Sequence, residues 1–272
     1  MVTPVRRRQW VEHLREQFEV SVRLACDVAG LSRSVYRYTP KRGDDTPLID
    51  ALLALVERHP RWGLPKLRKR LRKLGHRWNH KRIYRVYLEL RLNMRRKHKR
   101  RLPTRDPLPL RVPDAMNTCW SMDFMNGVLR HGHRFRTLNV IDDFNREALA
   151  IDINSGITAE RVIKTLEQIA AWRGYPQSIR IDNGSEFIAG VFVDWARDRH
   201  IHLDFIEPGC PYQNSFIERF NRTYREDVLD FYLFDTLQEV REITDDWLEL
   251  YNTERPHDAL NDMTPQEYLE AA

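Results

Sequence analysis

The sequence predicts an α/β protein in which a mixed sheet with helices follows an all-α region. Three observations point there. The 272-residue chain changes period near its middle, from apolar residues at helical spacing to alternating ones. It changes charge at the same place: residues 1–112 hold 30 Lys+Arg against 10 Asp+Glu, a balance of +20, and the remaining 160 residues carry −14. Between the halves stand Pro103, Pro107, Pro109 and Pro113, a density that stiffens a chain and prevents helix.

Composition excludes several classes. The chain is 42% hydrophobic and 31% charged, enough for a packed core and unlike a disordered segment. No apolar run approaches the roughly eighteen residues of a membrane span. The basic segment Met1–Gln9 is followed by no apolar stretch, so no secretory signal is expected. Three distant cysteines, Cys26, Cys119 and Cys210, argue against a disulfide framework and for a reducing cytoplasm. The +20 half has the charge of a nucleic-acid-binding module, joined to an acidic half with other work.

The first module, residues 1–42, reads as a helix over Arg6–Phe18, with Trp10, Val11, Leu14 and Phe18 on one side. A second helix ends at Gly30, which tolerates left-handed backbone, and Ser32 caps a third. This is the outline of a helix-turn-helix, with Arg33 and Arg37 offered to phosphates or base edges. Residues 43–93 repeat the theme. Helices are expected over Leu48–Arg58, Leu64–Leu74 and Lys81–Leu92, the last capped by Asn79. Arg68, Lys69, Lys81, Arg82 and Arg85 are the candidate DNA contacts. Residues 94–114 form a basic, proline-rich linker in which Arg95, Arg96 and Lys97 can lie along DNA.

Residues 115–272 change pattern. Strands are expected over Thr118–Leu129, Arg134–Phe144, Glu147–Ile153, Ser178–Ile181 and Ile201–Ile206. Thr158 caps a helix that runs to Arg173, and a further helix is expected from Ser185 to Arg199. Helices fill the remainder. Trp172, Trp195 and Trp247 are expected in packing. Three meandering strands followed by helix, strand, helix and strand make a mixed five-stranded sheet.

Three acids stand out by position. Asp123 lies within the apolar strand Cys119-Trp120-Ser121-Met122-Asp123-Phe124-Met125. Asp182 stands where a strand stops, before Asn183-Gly184. Glu218 lies on a helix, in Phe216-Ile217-Glu218-Arg219-Phe220. An acid in a buried strand is costly unless it is paired with a cation. A single such acid is more commonly half of an ion pair. Three acids together repel one another, and a hard divalent cation relieves that repulsion.

The wider pattern is similar to a known family. Trp120-Ser121-Met122-Asp123, Asp182-Asn183-Gly184-Ser185-Glu186-Phe187 and Pro211-Tyr212-Gln213-Asn214-Ser215-Phe216-Ile217-Glu218 resemble the three carboxylate motifs of the DDE integrase core. The closer resemblance is to OrfB-type transposases of the insertion-sequence-three family. Thirty-five residues separate Asp182 from Glu218, that group's characteristic interval. Arg225 stands where the family carries Lys or Arg. Ile141-Asp142-Asp143-Phe144-Asn145-Arg146-Glu147 and Tyr251-Asn252-Thr253-Glu254-Arg255-Pro256-His257 also match. His59-Pro60-Arg61-Trp62-Gly63 through Arg85 resembles the helix-turn-helix module before the core, with Trp62 where Tyr is usual.

The resemblance implies an RNase-H-like core and a polynucleotidyl transferase using Mg²⁺, with Mn²⁺ as substitute. It implies Asp123, Asp182 and Glu218 as metal ligands and catalytic residues, assisted by Arg225. Asn214, Glu218 and Arg222 recur at four-residue spacing and share a helix face. Asn214 and Arg222 are therefore candidate DNA contacts there. The implied partners are double-stranded DNA, as transposon ends and target, further copies of the chain, and an upstream OrfA-type protein or fusion. The expected location is the cytoplasm, on the nucleoid when DNA is bound. The alternative is a non-catalytic DNA-binding or assembly subunit working only with that partner.

Overall fold

Short polar residues start most of the helices. In the computed structural model, which describes residues 3–38, 43–93, 110, 112–207 and 209–272, Thr3, Ser21 and Ser32 accept hydrogen bonds from the amides of Arg6, Leu24 and Val35. They open α1 (Pro4–Phe18), α2 (Val22–Val28) and α3 (Arg33–Arg37). Each such cap is worth about 1 kcal/mol. Gly30 turns the chain between α2 and α3 at φ +60°, a conformation costly to other residues. Arg7 Nη1 donates to its carbonyl at 2.7 Å. Val11, Ala25, Cys26 and Leu31 form a small core. These helices belong to a unit of residues 1–49, and residues 50–272 form a second unit.

Helix α4 (Thr46–Arg58) runs across the division at residue 49, and α5 (Leu64–Lys73) and α6 (His80–Glu89) follow in the second unit. Pro65 sits in the first turn of α5, where its missing N–H forfeits no helical bond. Asn79 caps α6 by accepting from Lys81 N at 2.9 Å. Leu67, Leu71, Ile83, Val86 and Tyr87 are buried. Most of the expected linker, with Arg95, Arg96 and Lys97, lies outside the described residues.

The sheet comprises β1 (Cys119–Val128), β2 (Arg134–Asp142), β3 (Ala148–Asn154), β4 (Ser178–Ile181) and β5 (His202–Phe205), in spatial order β3-β2-β1-β4-β5. The first three are antiparallel; β4 joins β1, and β5 joins β4, in parallel. The parallel crossovers run through α7 (Ala159–Arg173) and α8 (Gly190–Asp198), and α9 (Ser215–Tyr224), α10 (Leu237–Thr253) and α11 (Pro265–Ala271) follow. This is the RNase-H-like arrangement. Alternation along the strands gives the sheet two apolar faces. Trp120, Met122, Leu138 and Val140 pack on Val162, Leu166 and Ile169 of α7 and Phe192 of α8. Met125, Phe135 and Ile153 pack on Tyr224 and Val240, while Ile141 and Ala148 meet Ile217, Phe220 and Tyr251.

Two expectations fail locally. The helix expected from Ser185 begins only at Gly190. Residues 183–189 form a turn instead, with the amides of Phe187 and Ile188 bonded to Gly184 O, and this turn drives Phe187 into the core. Trp172 is 60% exposed, whereas Trp195 and Trp247 pack as expected.

The second helical module also packs on the C-terminal part of the core. Arg58 Nη2, His59 Nε2 and Arg70 Nη2 lie 2.9, 3.0 and 3.2 Å from Glu254. Lys69 pairs with Asp258 and Asp262, and Lys73 with Glu267. Arg61 Nε donates to Glu226 O at 2.8 Å. His59 stacks on Trp62 with centroids 3.7 Å apart. Burial pushes the His59 pKa below its usual 6.5 despite the bond to Glu254. Part of the positive charge of the first half is thus matched within the chain.

Candidate catalytic site

The alternation that points Trp120 and Met122 into one core turns Asp123 to the opposite face, toward α9. Its Oδ1 accepts from Phe124 N at 2.8 Å and its Oδ2 from Asn221 Nδ2 at 2.7 Å. Asn221 is held in turn: Asn139 Nδ2, on β2 directly opposite Asp123, donates to Asn221 Oδ1 at 2.6 Å. Asp182 follows the last residue of β4, and its Oδ1 accepts from Gly184 N at 3.0 Å. Asn183 Nδ2 donates to Ile206 O, tying this turn to the end of β5. Glu218 lies in the first turn of α9 and is exposed.

Electrostatics connects the three acids. Burial, chiefly, pushes Asp123 up to about 6; Asp182 and Glu218 add to the rise, and the bonds from Phe124 and Asn221 oppose it. Partial desolvation at the start of α9 also raises Glu218. None of the three makes an ion pair with Lys, Arg or His among the described residues. Nor, among those residues, do any three acidic, His or Cys side chains close into a ready-made cation cage. Like charges hold one another off, so an open arrangement is expected without a cation. The donor set is all carboxylate oxygen, the chemistry that suits Mg²⁺ or Mn²⁺. The residues therefore fit a divalent ion.

The surrounding side chains are ordered. Glu186, four residues beyond Asp182, pairs with Arg136 of β2. The Arg136 guanidinium stands 4.3 Å from the centroid of the Phe124 ring, which stacks on Phe187 at 4.7 Å. Asn214 is buried just before α9, its Nδ2 donating to Met122 O at 3.4 Å. Arg222 is exposed and donates to Glu226 at 2.9 Å. Arg225 Nη2 donates to Asn126 O of β1 at 3.1 Å.

The other candidate contacts are scattered. Arg33 and Arg37 are exposed in the first unit, and Lys81 is exposed at the start of α6. Arg82 and Arg68 are half-buried, Arg85 pairs with Glu89 at 3.0 Å, and Lys69 is engaged by Asp258 and Asp262. Asn139 and Asn221 escape sequence reasoning, because an amide in a strand or helix carries no periodic signal. The acids of Asp142-Asp143 prove structural. Arg173 binds Asp142 and Glu147, and Arg180 bridges Asp143 and Asp204.

The mixed five-stranded sheet with its flanking helices is an integrase-type core, preceded by a helix-turn-helix-like module. Residues 113–211 and 199–265 match two family models for the integrase core domain, and residues 43–100 match the HTH-like domain. The chain is 36% identical to the 39.2 kDa protein of insertion element IS476 from Xanthomonas euvesicatoria, over 98% of this chain and 78% of that one. It is 38% identical to the 31.7 kDa protein of insertion element IS407 from Burkholderia multivorans, over 94% of this chain and 92% of that one. A solved HTLV-2 integrase catalytic core is 18% identical with a TM-score of 0.46, covering 56% of this chain and 95% of that chain. The chain belongs to the OrfB-type insertion-sequence transposases with an integrase-like core.

Proposed function

We propose that this transposase cleaves and joins DNA strands by divalent-metal-dependent phosphoryl transfer at Asp123, Asp182 and Glu218. The observation that carries the reading is that Asp182 and Glu218 both raise the pKa of Asp123, while none of the three has a cationic partner among the described residues. Asp182 and Glu218, from the end of β4 and from α9, thus lie within electrostatic range of Asp123 on β1, and a bound cation would relieve that repulsion.

Asp123, Asp182 and Glu218 would hold the metal. When bound, divalent cations ease deprotonation of an attacking hydroxyl and offset negative charge at the phosphorus and the leaving oxygen. In the first reaction a water oxygen attacks the phosphorus at a transposon end, and the P–O3′ bond breaks to leave a 3′-OH. In the second that 3′-OH attacks a target phosphodiester, forming one P–O bond and breaking another. Phe124 N–H and Asn221 fix the Asp123 carboxylate, and Gly184 N–H fixes that of Asp182. Arg225, anchored on the strand that carries Asp123, would steady a DNA phosphate, and Asn214 and Arg222 flank the same helix. Affinity for transposon ends would come from the helical modules, with assembly of several copies on DNA and an upstream OrfA-type partner.

A strand-transfer assay with the DNA ends flanking the gene, in Mg²⁺ or Mn²⁺, tests this. Joined product from the wild type and none from Asp182→Asn is expected, with the upstream frame supplied if the chain alone is silent. Joining by both proteins would overturn the site.

A further inference from the structure

We propose that Asn139 is a positioning residue for Asp123, acting through the amide of Asn221; the inference rests on the reading of Asp123 as a cation ligand. Asn139 is fully buried in the middle of β2, where an amide is costly unless its polar ends are used. One use is evident. Its Nδ2 donates to Asn221 Oδ1 at 2.6 Å, and Asn221 Nδ2 donates to Asp123 Oδ2 at 2.7 Å.

The direction of this relay matters. A carboxamide has a donor end and an acceptor end of nearly the same shape. Without Asn139, the Asn221 amide is free to turn over and set Oδ1 against the Asp123 carboxylate, where two acceptors repel. Asn139 occupies Oδ1 and so commits the donor end to Asp123. The Phe124 N–H holds the other carboxylate oxygen at 2.8 Å. Each oxygen of Asp123 is then fixed by one hydrogen bond and keeps lone-pair capacity for a cation. Groups that orient metal ligands in this way affect affinity strongly without touching the ion. The register that places Asn139 opposite Asp123 makes the relay a property of the β1–β2 pairing, reached across the sheet from α9.

Mn²⁺ alone, titrated into the full chain and followed by the spin resonance of the free ion, tests the relay without reference to DNA joining. Asn139→Leu and Asn221→Leu are each expected to weaken Mn²⁺ binding about ten- to hundredfold, the usual range for residues that orient a ligand. Their double variant should bind no worse than the weaker single one, because both act along one path. Asn139→Asp keeps the shape of the side chain and so guards against a folding failure of the leucine variant. Its carboxylate accepts from Asn221 Nδ2 and turns the amide over, so it should bind Mn²⁺ more weakly than Asn139→Leu. Wild-type Mn²⁺ affinity in Asn139→Leu and Asn139→Asp, with binding abolished in Asp123→Asn, would overturn the relay and leave the metal site standing. Additive losses in the double variant would also overturn it. Unchanged binding in Asp123→Asn would remove the metal site, and the relay with it.

Discussion

Arg173, at the end of α7, places Nη2 3.0 Å from Asp142 Oδ2, with the guanidinium 4% and the carboxylate 0% exposed. Its Nη1 reaches Glu147 at 2.6 Å, so one cation ties together the two ends of the β2–β3 turn. Asp142 also accepts from the amides of Asn117 and Phe144. Removing one partner of a buried pair leaves the other charge uncompensated, which costs about 3–5 kcal/mol. Arg173→Leu should lose stability of that order in urea denaturation. A loss below about 1 kcal/mol would mean that water replaces the guanidinium and that the pair is not the clamp described.

Asp182 stands in contrast, with a backbone amide for a partner and no guanidinium among the described residues. Asp182→Asn should keep the urea midpoint and the DNA affinity of the wild type. Its strand transfer should fall below about one hundredth, since loss of a metal ligand forfeits several kcal/mol of charge stabilisation. A stability loss like that of Arg173→Leu would show instead that Asp182 is structural.

Asp123 ties stability to pH. Its pKa in the folded chain is about 6, against 3.8 for a free carboxyl. The folded state therefore holds the proton more tightly than the unfolded state. Below pH 4 both states are protonated and the group is neutral to stability. Between about pH 4 and pH 6 the unfolded chain gives up the proton first, so stability falls as pH rises, by roughly 2–3 kcal/mol in all. Asp123→Asn removes that penalty. Without metal the variant should be more stable than the wild type at pH 7, and the gap should close toward pH 4. An equal gap at both pH values would show that packing, not charge, sets the difference.

Legibility followed the range of the interactions. Thr158, Asn79 and Ser32 announce their helices because a cap acts within three residues. The β1 strand is readable from its apolar run between Cys119 and Met125, and within that run Asp123 stands out as an anomaly. The interval between Asp182 and Glu218 is visible in one dimension. Asn221 and Asn139 are not, since 82 residues separate them and nothing near either one signals the other. Residues 185–189 carry helical spacing, yet burial of Phe187 beside Phe124 outweighs it. The arginines and lysines of α5 read as a wet, DNA-facing surface, and their acidic partners lie nearly two hundred residues away.

Those α5 pairs make the final prediction. Lys69 and Lys73 are 18% and 23% exposed, while Asp258, Asp262 and Glu267 are 80%, 48% and 42% exposed. Each pair is therefore worth only about 0–1 kcal/mol, and the dock is held by their sum together with the buried His59 and Trp62. Asp258→Asn, Asp262→Asn and Glu267→Gln combined should leave the sheet intact but loosen α5, seen as faster hydrogen exchange of its amides. Lys69 and Lys73 then become available to phosphates. DNA affinity at low salt should rise, and the dependence of log affinity on log salt should steepen by about two units, close to one per lysine. A steeper slope would mean that the acidic segment competes with DNA for α5. An unchanged slope would assign the α5 lysines to the dock alone and leave DNA reading to α6, where Lys81 is exposed.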